Sequence, residues 1–315
     1  MADEKTELED LPGVGEATAD KLKEAGFRTV ESIAVAAIGE LGDATGMGES
    51  ACKKIINAAR ESQDMGFESA SDLLKKREKV GKMTTGSKEL DALLGGGFET
   101  GSVSELYSRF GVGKTQLGLQ GTINVQLEKE KGGLGGTALF IDTEGTFRPE
   151  RISQMARGVG LEEEEALDKV FVARAFNSDH QMLLAEKAGE FIEEKNIKLI
   201  VVDSLTGLFR AEYVGRGTLA SRQQKLNRHM HTLQRLSDLH NLVVIVTNQV
   251  MANPGLLFGD PTTPIGGHIV GHASSYRVYL RKGKAEKRIA RLVDSPCMPE
   301  GECVFKVTEK GIEDI

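Results

Sequence analysis

The stretch from Ser102 to Thr115, Ser-Val-Ser-Glu-Leu-Tyr-Ser-Arg-Phe-Gly-Val-Gly-Lys-Thr, constrains this chain more than any other. Val103, Glu105 and Tyr107 alternate with Ser102, Ser104 and Leu106 in a short β-prone run. Gly111 and Gly113 then free the backbone to wrap around an anion, and Lys114-Thr115 opens a helical pattern. Strand, glycine turn and helix start in this order aim backbone N–H groups at phosphates. Lys114 would reach the β- and γ-phosphates, and the Thr115 hydroxyl would sit on Mg²⁺. The full pattern Gly-x-x-x-x-Gly-Lys-[Ser/Thr] asks for glycine where this chain has Ser108. If that position needs a positive φ, serine costs about 1–2 kcal/mol. The expected nucleotide contacts are Arg109, Phe110, Gly111, Val112, Gly113, Lys114, Thr115 and Gln116.

Around this loop, strands and helices alternate. A helix is expected from Gln116 to Leu127, a buried strand over 137–142, a strand over 169–174, a helix from Gln181 to Lys195 and a strand over 198–203. Four apolar residues ending in Asp203 fit a central parallel strand whose last residue meets Mg²⁺ through water. The long helix Arg222 to His240 carries Leu226, Met230, Leu233 and Leu236 at core spacing. The run 242–249 is a further buried strand, ending in Asn248-Gln249. In open α/β sheets ligands lie outside the carboxyl ends of the strands, where Asp142, Asp203 and Asn248-Gln249 converge. Residues 210–222 are basic and glycine-containing, with Arg210, Tyr213, Arg216 and Arg222. Residues 252–267 hold three prolines and four glycines, a composition that forbids helix or central strand and implies a mobile loop. Strands over 275–280, 289–293 and 303–307, with a basic hairpin at 281–288, complete the core. The acidic run 162–165 is a solvated helix start.

Ahead of the core, Leu11-Pro12-Gly13-Val14-Gly15 and Thr45-Gly46-Met47-Gly48 each precede a helical stretch, so residues 1–62 read as a small all-α module. Its turns resemble a helix-hairpin-helix, whose amides bind nucleic-acid backbone without reading sequence. A plain helical protein-protein module is the alternative. Residues 63–80 read as a linker and 81–315 as the α/β core. At 315 residues and 39% hydrophobic content the chain can bury such a core. No signal peptide and no apolar run of about 18 residues is present, so the protein is expected to be soluble and intracellular. Cys52, Cys297 and Cys303 lack Cys-x-x-Cys spacing and are expected as reduced thiols. A net charge of -7 excludes a uniformly basic surface but not local basic loops.

Four motifs together resemble the RecA-fold recombinases and, within them, the archaeal RadA type: Asp142-Thr143-Glu144-Gly145-Thr146-Phe147-Arg148-Pro149-Glu150-Arg151, the run 173–181, Val246-Thr247-Asn248-Gln249-Val250, and Asp294-Ser295-Pro296-Cys297-Met298-Pro299-Glu300. The likeness runs from the first glycine turn to the end of the chain. It implies a DNA-dependent ATPase that forms filaments on single-stranded DNA, exchanges strands with double-stranded DNA, and works in the archaeal cytoplasm on the nucleoid. By this resemblance Glu144 would orient the attacking water, Gln249 would sense the γ-phosphate, Arg151 would pack on adenine, and Pro299 would cap a neighbouring subunit's nucleotide. Residues 210–222 and 252–268, the latter with Gly266 and Gly267, would be the DNA loops. Phe67 and Ala70, spaced Phe-x-x-Ala, would dock on the next subunit, giving a filament or ring. The loop departs from the family's Gly-Glu-Phe-Gly-Ser-Gly-Lys-Thr at Ser108, Arg109 and Val112. A RecA-fold helicase and a non-catalytic recombination mediator are the rival readings.

Overall fold

The computed structural model describes residues 7–63, 67–252 and 262–315. The chain divides into two compact units, Met1–Lys79 and Val80–Ile315.

The first unit is helical: α1 (Glu16–Glu24), α2 (Val30–Ala34), α3 (Ile38–Thr45), α4 (Glu49–Ser62) and α5 (Ala70–Arg77). Cys52, Ile55, Ile56 and Ala59 of α4 recur at one-face spacing and are buried with Leu22, Ile33 and Leu41 in the unit's own core. Gly13 (φ 91°) and Gly46 (φ 70°) turn the chain ahead of α1 and α4 in left-handed conformations. The expected linker is helical in its second half. Ser69 caps α5 by accepting from the Asp72 amide, and no residue of α5 is buried.

The second unit begins with β1 (Lys82–Met83), α6 (Lys88–Leu93) and β2 (Phe98–Glu99). Then come β3 (Ser102–Ser108), α7 (Lys114–Asn124), β4 (Thr137–Asp142), α8 (Pro149–Val159), α9 (Glu163–Asp168), β5 (Val170–Arg174), α10 (Ser178–Phe191) and β6 (Ile197–Asp203). The remainder is α11 (Gly207–Glu212), α12 (Leu219–His240), β7 (Val243–Ala252), β8 (Thr262–Pro264), α13 (Gly267–Ala273), β9 (Tyr276–Lys282), β10 (Lys287–Asp294), β11 (Gly301–Thr308) and β12 (Gly311–Glu313). One sheet runs in the order β12-β11-β10-β9-β3-β7-β6-β4-β5. From β9 to β5 neighbouring strands are parallel, and β9 to β12 form an antiparallel meander. Strand alternation splits the apolar run of β7 between two cores. Val243 and Ile245 pack on the face covered by α7 and α8, Val244 and Val246 on the face covered by α10 and α12. This is an α/β RecA-type core preceded by a helical domain.

Two expectations need correction. Residues 210–222, expected as a loop, contain the end of α11, a short 3-10 turn at Arg216–Thr218 and the start of α12. In 252–267, β8 pairs antiparallel with the extension of β7, and Pro264 is tolerated because β8 is an edge. Residues 253–261 of that segment lie outside the described residues. No helix among the described residues is long and apolar enough to cross a membrane.

Candidate active site

Strand β3 is buried along its whole length and delivers the chain to the phosphate loop at the carboxyl edge of the sheet. Gly111 (φ 71°) and Gly113 (φ 124°) take the conformations that the turn demands. Ser108 is not among the residues with positive φ, so the strain considered for serine does not arise. Its hydroxyl instead accepts from Lys114 Nζ at 3.0 Å, and the same ammonium donates to the Ser108 and Arg109 carbonyls, each at 3.2 Å. Lys114 is buried at the head of α7. Burial pulls its pKa down, opposed by the carboxylates of Asp203 and Glu144. Arg109 and Phe110 are exposed, whereas Val112 is buried, with its carbonyl accepting from Arg288 Nε at 2.7 Å. The basic hairpin thereby holds the phosphate loop from behind, a role its sequence does not announce.

Asp203 ends β6 and is buried. Burial raises its pKa, while the hydroxyls of Thr247 and Thr115 favour the carboxylate. Thr247 donates to Oδ1. Oδ2 is buried and finds no hydrogen-bond donor among the described residues. A buried carboxylate oxygen without a donor, beside a threonine hydroxyl, supplies the oxygen ligands that a hard divalent cation takes. The residues present therefore fit Mg²⁺.

Glu144 sits one strand away, beyond β4. Asp142 fixes its loop: Oδ1 accepts from the amides of Glu144 (3.1 Å), Gly145 (2.7 Å) and Thr146 (3.3 Å), and Oδ2 from Phe147 (3.3 Å). Arg174 pairs with the same carboxylate at 3.2 Å. The exposed Glu144 carboxylate accepts from Gln249 Nε2 at 3.0 Å. Gln249 lies directly across from Ser108 in the parallel β3–β7 register, so the glycine loop and the Glu144–Gln249 pair share one edge. An open cleft there is lined by Ser108, Arg109, Phe110, Gln249, Val250 and Thr262. Arg151 joins them from α8: Nε donates to Gln116 Oε1 at 2.7 Å, and the guanidinium grips the Thr308 and Glu309 carbonyls.

Residues 76–315 match the Rad51 family, and residues 5–61 match the SAM-like helix-hairpin-helix tandem family. The chain belongs to the Rad51 family. It is 57% identical over 323 residues to the DNA repair and recombination protein RadA of Methanocorpusculum labreanum, with 98% of each chain covered.

The remaining site candidates of this Rad51-family chain are spread more widely. Pro299 is exposed in the β10–β11 connection. Because Asp294 pairs with Arg277 and Arg277 with Glu105, that connection leaves toward the amino end of β3, away from the phosphate loop. Pro299 is therefore not brought to its own chain's nucleotide loop. Arg210 is exposed on α11, and Lys225 lies over the Tyr213 ring, 5.4 Å from its centroid. Arg222 is half-buried, and the Arg216 side chain lies outside the described residues. Gly266 (φ 96°) is buried against Val270 and Leu226, where a Cβ would come within 2.5 Å of the Val270 side chain. Gly267 (φ 58°) is exposed and open around its Cα. Phe67 is fully exposed, at 112% relative accessibility, and Ala70 opens α5.

Proposed function

We propose that this chain is a DNA recombinase that uses ATP and Mg²⁺ at the Ser108–Thr115 loop and drives homologous pairing and strand exchange in DNA repair. Family membership supports the nucleotide and the DNA, and the geometry supports a task for each residue. The amides of Gly111 and Gly113 and the head of α7 receive phosphate oxygens. Lys114 exchanges its contacts with Ser108 and Arg109 for the β- and γ-phosphates, which cost it little movement because both carbonyls line the same loop. Thr115 and Asp203 Oδ2 would hold the cation, which would supply charge neutralisation at the phosphoryl group. Glu144, held by the Asp142 cap, orients the attacking water and accepts its proton.

The observation that carries the reading is the contact between Gln249 and Glu144. It joins the strand leading into 252–268 directly to the carboxylate that would act on water, so a segment proposed to bind DNA and the hydrolytic residue share one hydrogen bond. Arg210, Tyr213, Arg216, Arg222 and the amides at Gly266-Gly267 would bind single-stranded DNA through its backbone, with little sequence preference. The helical unit would add contacts to double-stranded DNA. Phe67 and Ala70 would join subunits head to tail into a filament or ring, bringing Pro299 to the neighbour's nucleotide, in the cytoplasm on the nucleoid. ATP hydrolysis measured with and without single-stranded DNA tests the reading. Strong stimulation is expected; turnover indifferent to DNA would refute it.

A further inference from the structure

Beside Gln249 stands a residue to which nothing above gives a role. Asn248 is wholly buried, and three segments remote in sequence converge on its side-chain amide. Nδ2 donates to Glu105 Oε1 at 2.7 Å, across 143 positions, and to the Ile265 carbonyl at 2.6 Å. Oδ1 accepts from the Thr206 hydroxyl at 2.7 Å, across 42 positions. The chemistry fixes this orientation: turned over, the amide would set its oxygen against a carboxylate and a carbonyl.

Each partner has a distinct address. Glu105 lies on β3, three residues before Ser108, is itself wholly buried, and is paired through Oε2 with Arg277 Nε at 2.8 Å. Thr206 is the residue before α11, the helix that carries Arg210. The far end of α11 is held as well, since Glu212 accepts from the Ser178 amide at 2.7 Å and from the Ser178 hydroxyl. Ile265 precedes Gly266-Gly267, and its amide donates to the Gln249 carbonyl at 3.0 Å. One buried amide therefore joins the root of 210–222, the root of 252–268 and the strand that feeds the phosphate loop. Neighbouring residues of a strand project to opposite faces, so fixing Asn248 on one face of β7 also fixes where Gln249 points on the other.

We infer that Asn248 is a positioning residue through which both candidate DNA segments act on hydrolysis. Resting on the DNA-dependent reading above, it assigns the coupling of the two segments to a three-way hydrogen-bonded joint rather than to the 252–268 segment alone. Binding to either segment then bears on the same amide through Thr206 or Ile265. That shared restraint is a coupling free energy between the DNA contacts and the Gln249–Glu144 pair. A buried, fully satisfied polar joint suits this role, because breaking one arm leaves a buried acceptor unpaired and is felt by the others.

The decisive variants are at Thr206, whose hydroxyl is one arm. Thr206→Val keeps the shape and removes the donor; Thr206→Ser keeps the donor. ATP turnover is measured without DNA and at saturating single-stranded DNA, with thermal unfolding alongside. Thr206→Val is expected to cut the DNA stimulation about fivefold or more while leaving unstimulated kcat and the KM for ATP within about twofold, and Thr206→Ser is expected to restore it. Asn248→Asp, which turns a donor into an acceptor facing Glu105 and Ile265, should lose more; where it does not fold, the Thr206 pair decides. Full stimulation in Thr206→Val overturns the inference. Equal loss in Thr206→Val and Thr206→Ser does too, as does a loss of stimulated and unstimulated turnover in step with melting temperature. A parent protein that DNA does not stimulate at all defeats the functional reading itself, and is told apart from these by being seen before any substitution is made.

Discussion

Replacing Phe67 is expected to take the protein apart without unfolding it. The ring is exposed at 112% relative accessibility, so its own domain gains nothing from it. Fully burying a phenylalanine is worth about 1.5–3 kcal/mol. At about 1.4 kcal/mol per decade this is roughly 10- to 150-fold in the association constant of each joint. Phe67→Ala should therefore shift the concentration at which subunits assemble upward by about that factor. Phe67→Glu should go further, because a carboxylate forced into an apolar pocket adds a desolvation penalty of several kcal/mol. Light scattering across a dilution series reads the shift directly, with the Phe67→Glu protein expected near the monomer mass of 34.1 kDa. DNA-stimulated hydrolysis should fall with it, since Pro299 lies away from its own phosphate loop. A Phe67→Glu protein whose mass follows the parent's curve, with full activity, would show that another surface holds the subunits.

Lys114→Ala should abolish ATP turnover in a protein that still folds, because it removes the ammonium proposed for the β- and γ-phosphates; undiminished hydrolysis would sink the site. Arg210→Ala should weaken single-strand binding evenly across sequences and lower the salt slope by about 1, read by anisotropy at several salt concentrations; an unchanged slope would remove α11 from the interface. His229 is wholly buried beside Gln181 and Phe209, and burial pushes its pKa down to about 4. Its neutral form is the folded one, so the stability it lends is complete above the unfolded value near 6.5 and is lost as pH falls toward 4, at up to about 1.4 kcal/mol per pH unit. Urea unfolding at pH 7 and 5 should differ accordingly, and His229→Gln should flatten the difference.

The order of elements in the core was legible because β4, β6 and β7 are largely runs of apolar residues that the two faces of the sheet divide between them, as in Val243 to Val246. The phosphate loop was legible because glycine spacing is a local signal. Ser108 could be read only conditionally for the same reason: a local pattern shows a missing glycine, not that the serine sits at the end of a strand with its hydroxyl on Lys114. The joint at Asn248 was invisible, since its partners lie as far as 143 positions away and no periodicity records a hydrogen bond across such a span. The Asp142 cap was half-legible. An aspartate at a strand exit drew notice, but its four backbone donors depend on how the next five residues fold over it. Helix α11 was missed because the glycines and arginines of 210–222 outweighed Leu208 and Phe209, the latter buried in the core.

The strand register that sends the phosphate loop to one edge of the sheet and Pro299 toward the other gives each subunit a front and a back. If Pro299 covers a neighbour's nucleotide, the two halves of that contact lie at opposite edges of one sheet, where a single two-fold cannot join both at once, so the contact runs head to tail. A string of subunits joined in the proposed way would have direction, and its two ends would be chemically unlike: one terminal subunit would have a nucleotide edge that no proline covers, the other a proline that covers nothing. Addition and loss at the two ends then have separate rate constants. An open string of n subunits has n − 1 completed joints, so turnover per subunit should climb with string length and level off, whereas a closed ring would show no such climb.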